Sequence, residues 1–170
     1  LTIRENLLET IRGGNPDRFV KQFEFLEMIY EVPHEGEMLL PGGESKTAWG
    51  VTFKWPEGQI GPFPVHDEEH IVLKDIREWE KYVKAPNVIF PEEKWEAAVN
   101  HAESVDRKEK YVTGMVAPGL FEMAHHLMRM ENALMNYYEE PEKMHELLDY
   151  LMDYELRYAE QLVKYIKPDA

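Results

Sequence analysis

At 170 residues, 44% hydrophobic and 31% charged, the chain has the composition of a globular domain with a sizeable core. Its formal charge of −14 excludes nucleic acid and anionic membrane surfaces as partners, because both demand a basic footprint. Without cysteine it forms no disulfide and no thiolate metal site; no apolar run approaches the roughly 18 residues of a membrane span, and the charged opening LTIRENLLETIRGG does not read as a signal peptide. The expected location is the cytoplasm.

Thr2 followed by Glu5 predicts a capping box, with Ile3, Leu7, Leu8 and Ile11 on one face and Gly13-Gly14 as the stop. FVKQFEFLEMI, residues 19–29, reads as a strand, and the Pro- and Gly-rich residues 33–46 as a loop. Trp49, Val51, Phe53 and Trp55 alternate with polar residues, predicting a half-buried strand that runs into the turn Pro56-Glu57-Gly58. Residues 62–73, PFPVHDEEHIVL, predict a second extended piece.

Asp75 and Glu78 cap a helix through Trp79, Tyr82 and Val83, which Pro86 stops. Pro91 opens another, with Trp95, Ala98, Val99, Ala102 and Val105 at helical spacing. YVTGMVAPG, residues 111–119, is a nearly continuous apolar run, the pattern of a strand buried on both faces in a parallel sheet. Leu120, Met123, Ala124, Leu127 and Met128 begin a long helical region that recaps at Asn132. A last helix runs from Pro141 toward Pro168. The order of elements is an α/β pattern in one domain, 1–170, with a β-hairpin-like insertion.

Metal motifs weigh lightly here. His66, Glu69 and His70 have the HxxEH spacing, which serves one ion only on a helix; in an extended stretch positions 66 and 70 lie about 13 Å apart. Glu122 with His125 and Glu142 with His145 have the spacing of a di-iron bundle, but that centre needs two further helices, each with a Glu aimed inward. The expectation is no metal in this chain. Residues just after a strand are favoured pocket members in α/β folds, which points to Gly119, Phe121, Glu122, His125 and His126 after the apolar strand and to Glu27 and Met28 at the first.

The stretch TAWGVTFKWPEGQIGPFPVHDEEHIVLKDIREWEKYVKAP, the strand YVTGMVAPGLFE and the helix after EEPEKMHELLDY together resemble the uroporphyrinogen decarboxylase superfamily. The WGV and PFPVH segments are most similar to its corrinoid-dependent methyltransferase-like branch. The resemblance implies an amino-terminal half of a (β/α)8 TIM barrel with substrate over the strand C-termini, and pocket-wall roles for Glu27, Trp49, Gly119, Phe121, Glu122 and His125. It implies methyl transfer from a methylated small molecule, with the corrinoid on a partner protein and zinc in the other half. No catalytic residue is assigned, and the half alone is expected to be inactive. The carboxyl-terminal half, or a second copy, is the other expected partner. Porphyrinogen decarboxylation is the alternative activity, yet FEFLEMIY, residues 23–30, lacks the arginine of the decarboxylases' RQAGRY stretch. A non-catalytic, self-associating half-barrel is the alternative from another class.

Overall fold

A computed structural model describes residues 1–35 and 39–170. The chain is mixed α/β with small, open sheets, and it divides into two units built from interleaved stretches. Leu1–Pro33, Ile89–Val116 and Tyr158–Ala170 make the first; His34–Val88 and Ala117–Arg157 make the second.

In the first unit, helix α1 (Ile3–Arg12) starts on the predicted capping box, with Glu5 N–H on the Thr2 hydroxyl and Thr2 N–H on the Glu5 carboxylate, and ends at Gly13 with φ 69°. Its apolar face is only partly buried and Ile11 is exposed; the buried residue is Asn6. Strand β1 is Leu26–Met28, shorter than the 19–29 expected. Phe19 and Phe23 are exposed, because residues 18–24 curl around the Glu24 carboxylate, which takes two bonds from the Arg18 guanidinium and one from Lys21 N–H. These donors hold Glu24 at about 2, and three fixed donors outcompete an extended ladder.

A 3-10 turn (Glu92–Trp95) leads into α3 (Glu96–Ser104) and then β5 (Tyr111–Thr113). The strand pairs parallel with β1 in the register Leu26↔Tyr111, Glu27↔Val112, Met28↔Thr113. It stops at Thr113 rather than running on to 119, and Met115 and Val116 are exposed. Trp95, Ala98, Val112, Leu162 and Ile166 form the core of this unit. The far edge of β5 is occupied as well: Asp169 N–H donates to Val112 O (2.7 Å), Val112 N–H to Asp169 Oδ2 (2.9 Å) and Gly114 N–H to Ala170 O (3.2 Å).

The second unit holds an antiparallel sheet of β2 (Glu44–Lys46), β3 (Thr52–Lys54) and β4 (Phe63–Pro64), where a hairpin-like insertion was expected. Strand β2 lies inside the stretch read as a loop, of which 36–38 are outside the described residues. Its Glu-Ser-Lys composition hides it. The 47–50 turn creates it, with Gly50 at φ 83° and its N–H on Thr47 O. Asp75 caps a 3-10 turn (Ile76–Glu78) that continues as α2 (Trp79–Tyr82).

Helices α4 (Leu120–Met128) and α5 (Met130–Glu139) break at Arg129, not at Asn132. Arg129 sits at φ 79°, ψ 152°, a region that side chains disfavour, and its guanidinium reaches Glu68 at 3.1 Å. Helix α6 (Pro141–Tyr165) begins in this unit and contributes its last turns to the first. Trp49, Leu73, Trp79, Leu127, Met144 and Leu147 belong to the core of the second unit. Among the described residues no helix is long and apolar enough to cross a membrane.

Candidate functional site

The C-terminal end of α4 organises a group of chemically useful side chains. A helix leaves its last carbonyls without intrahelical partners. Arg129 N–H closes the last turn on His125 O (2.9 Å), and the next two carbonyls find outside donors: His126 O accepts the His66 Nε2–H (3.2 Å), and Leu127 O accepts Leu73 N–H (2.9 Å). The 66–73 segment is thereby pinned to the helix end. Since a carbonyl can only accept, His66 carries its proton on Nε2 in this contact.

Pinning gathers rings. His66 lies 6.5 Å from His125 between centroids, His125 lies 4.5 Å from His126, Phe53 meets His126 edge-on at 5.1 Å, and Phe121 lies 5.6 Å from His125 and 6.3 Å from Tyr137. Burial, then the neighbouring His125, pushes His126 down to about 4; burial, then His66, lowers His125. Glu122 opposes both shifts without reversing them. His125 and His126 are therefore uncharged at neutral pH, and among the described residues the buried Nδ1 of His125 has no hydrogen-bond partner.

The unfolded chain takes up protons at these imidazoles near pH 6.5, whereas folded His126 resists until about 4, so acid favours unfolding. Discounted for the half-exposed ring, the expected loss is about 1–2 kcal/mol between pH 6.5 and 4, absent above 6.5. Denaturant melts of the unmodified chain and of His126→Phe at pH 7 and 5 check this. The variant should lose less stability on acidification, and equal losses would refute the assignment.

Of the residues predicted from the sequence, Phe121, Glu122 and His125 stand together on α4. Gly119 is its N-cap, in an extended conformation, and a Cβ there would meet only a Glu122 carboxylate oxygen at 4.0 Å. Trp49 lies mainly in the core, edge-on to Tyr154 at 4.9 Å. Its remaining surface borders a cleft of about 300 Å3 with Lys46, Thr52, Glu69, His70 and Tyr82. His70 is held by Asp67 through Nδ1 at 2.6 Å. His66 and His70 thus turn to different partners; the stretch 62–73, expected to be extended, is strand only at Phe63–Pro64 and turns at 68–70, where the Asp67 carboxylate accepts the N–H groups of Glu69 and His70. His145 is exposed and faces Asp149 on its own helix.

Glu27 belongs to the first unit, where its carboxylate meets Lys110 Nζ (2.6 Å) and His101 Nε2 (3.4 Å); the other ring nitrogen of His101 meets Glu31 (2.9 Å). Lys110 chiefly lowers Glu27, while Glu31 chiefly raises His101, in a row of alternating acidic and basic side chains beside a cleft of about 370 Å3.

Sequence reasoning placed His126 after the apolar strand but missed its grouping with His66 and Phe53, and missed the Glu27 partners. The available signals were pairing signals: β3 and β4 flank the Pro56–Gly61 turn and bring Phe53 opposite Pro64, two residues before His66, and Lys110 directly precedes the strand that pairs with Glu27. Among the described residues no group of three or more His, Asp or Glu side chains is placed to hold one metal ion. No family model, curated protein or solved structure matches the chain.

Proposed function

We propose that the chain supplies neighbouring strands of a uroporphyrinogen decarboxylase-like (β/α)8 barrel, and that this barrel acts in corrinoid-dependent methyl transfer from a methylated small molecule. One observation carries the reading. Strand β1, strand β5 and the backbone at 169–170 bond side by side in chain order, residue numbers rise together across both pairings, and helices separate them in sequence. Parallel neighbours joined through helices are the winding pattern of a barrel, and so few short parallel strands have little stability by themselves.

The choice of methyl transfer over porphyrinogen decarboxylation rests on charge. A porphyrinogen presents several carboxylates, which call for cations, whereas residues 23–30 hold no arginine and the histidine cluster on α4 is neutral. The uncharged rings of Phe121, His125 and His126 suit a small, uncharged methylated compound better than a polyanion. In this reading a corrinoid on a separate protein supplies the cobalt nucleophile, and residues of this chain bind and orient the methyl donor. The donors described here do not gather for zinc, and no step is assigned to a metal on them.

The test is methyl transfer to free cob(I)alamin from a panel of O-, N- and S-methyl compounds, with the chain assayed together with the polypeptide that completes its sheet. Methylcobalamin should form with at least one donor, and His125→Leu should lower kcat/KM by about tenfold or more. Release of carbon dioxide from a porphyrinogen, with no methyl transfer, would replace this reading by the decarboxylase one.

A further inference from the structure

Helix α5 leaves an apolar face uncovered. Met130, Leu134 and Tyr138 follow one another four residues apart with 44%, 50% and 89% of their surface exposed, and Met135 beside them is 46% exposed. At 100° per residue these four side chains share one half of the helix, while Ala133, fully buried, marks the half that meets the core. Isolated exposed apolar residues are ordinary; four on one short helix form a patch of the kind that marks an interaction site.

The chemistry of the rim selects the occupant. Glu131 and Glu139 lie on the same half of α5, and among the described residues neither has an ion-pair partner. The helix MENALMNYYE contains no Lys, Arg or His. Lys74 and Arg77 line a cleft with Met135 and Glu139, but each already meets an acid, Glu68 and Asp75, so a second copy would bring unpaired acids to acids, and an anionic lipid surface would be repelled for the same reason. Both are disfavoured.

We propose that this face of α5 docks a protein partner presenting an amphipathic helix, with apolar anchors that cover Met130, Leu134 and Tyr138 and a Lys/Arg rim that meets Glu131 and Glu139. The apolar contacts give the affinity, and the charges give orientation and a salt-dependent association rate. This inference stands independently of the reaction proposed above.

The probe is a synthetic amphipathic helix of Leu and Lys, with its Leu/Glu counterpart as control, followed by fluorescence anisotropy. The Leu/Lys peptide should bind and the Leu/Glu peptide should not. Leu134→Ser with Tyr138→Ser, both at exposed positions, should weaken binding about tenfold or more while leaving the circular dichroism spectrum unchanged. Glu131→Gln with Glu139→Gln should weaken it by a smaller factor and flatten its salt dependence. Affinity unaffected by the Ser pair would mean attraction to total negative charge alone, and would overturn the proposal. So would failure of the unmodified chain to bind, or sedimentation as a dimer that the Ser pair converts to monomer.

Discussion

Replacing Asn6 with Ala is expected to destabilise the first unit by about 2–4 kcal/mol, although α1 is otherwise lightly packed. Asn6 is 2% exposed, and every part of its amide is used: Nδ2 donates to Leu1 O (3.2 Å) and Thr2 O (3.0 Å), while Oδ1 accepts from Asp17 N–H (2.7 Å) and Arg18 N–H (3.2 Å). Truncation would remove the acceptor that two part-buried main-chain N–H groups share and free the 13–18 segment that they hold against the helix. Asn6→Asp separates the contributions. An aspartate can still accept from residues 17 and 18 but presents an oxygen to two carbonyls, so it should recover part of the loss. Urea melts of the three proteins measure the effect, and a loss below about 0.5 kcal/mol for Ala would show that the network adds nothing to solvent hydrogen bonding.

Asn6 also shows where a sequence stops being informative. The capping box at Thr2 and Glu5, the Asp75 cap and the apolar spacing around Trp95 are local signals, and the helices begin where those residues put them. The parallel pairing of β5 was legible in its unbroken apolar run. An Asn on a helix whose apolar residues lie elsewhere gives no local hint of burial, because its partners come from a loop 11 residues away. Strand β2 was hidden for a related reason: Glu44, Ser45 and Lys46 have no strand pattern, and only the turn at Gly50 and a partner in β3 make them one.

The candidate site divides along the same line. Phe121, Glu122 and His125 come close through helical spacing, which sequence displays. His66 joins them because an unpaired carbonyl at the end of α4 needs a donor, and the break that leaves it unpaired lies at Arg129, a residue type with no reputation for ending helices. The two units interleave in sequence, so no linker composition marks their boundary, and Glu27 stands in a different unit from the other named residues for that reason.

Trp95→Ala is expected to cost about 3–5 kcal/mol, and Trp95→Phe no more than about 1. The indole is fully buried and stacks on Tyr165 at 4.5 Å with an interplanar angle of 13°, so Ala leaves a large void among Ala98, Ala102, Val112 and Ile166. Phe keeps most of that contact and removes a liability, since the buried indole N–H has no acceptor among the described residues. The two substitutions therefore weigh packing against an orphaned donor at one position. Trp95 stands at the entry to α3, the helix that carries His101 toward Glu27 and Glu31, so loosening it should reach the charged row as well. In an NMR titration of the folded Ala variant, the raised His101 imidazole should move back toward its ordinary value, because that rise depends on carboxylates the helix must hold within reach. In the Phe variant it should stay raised. A His101 titration unchanged in both would mean that the 31–101 pairing is set by the β1 side alone and that α3 can shift without disturbing it.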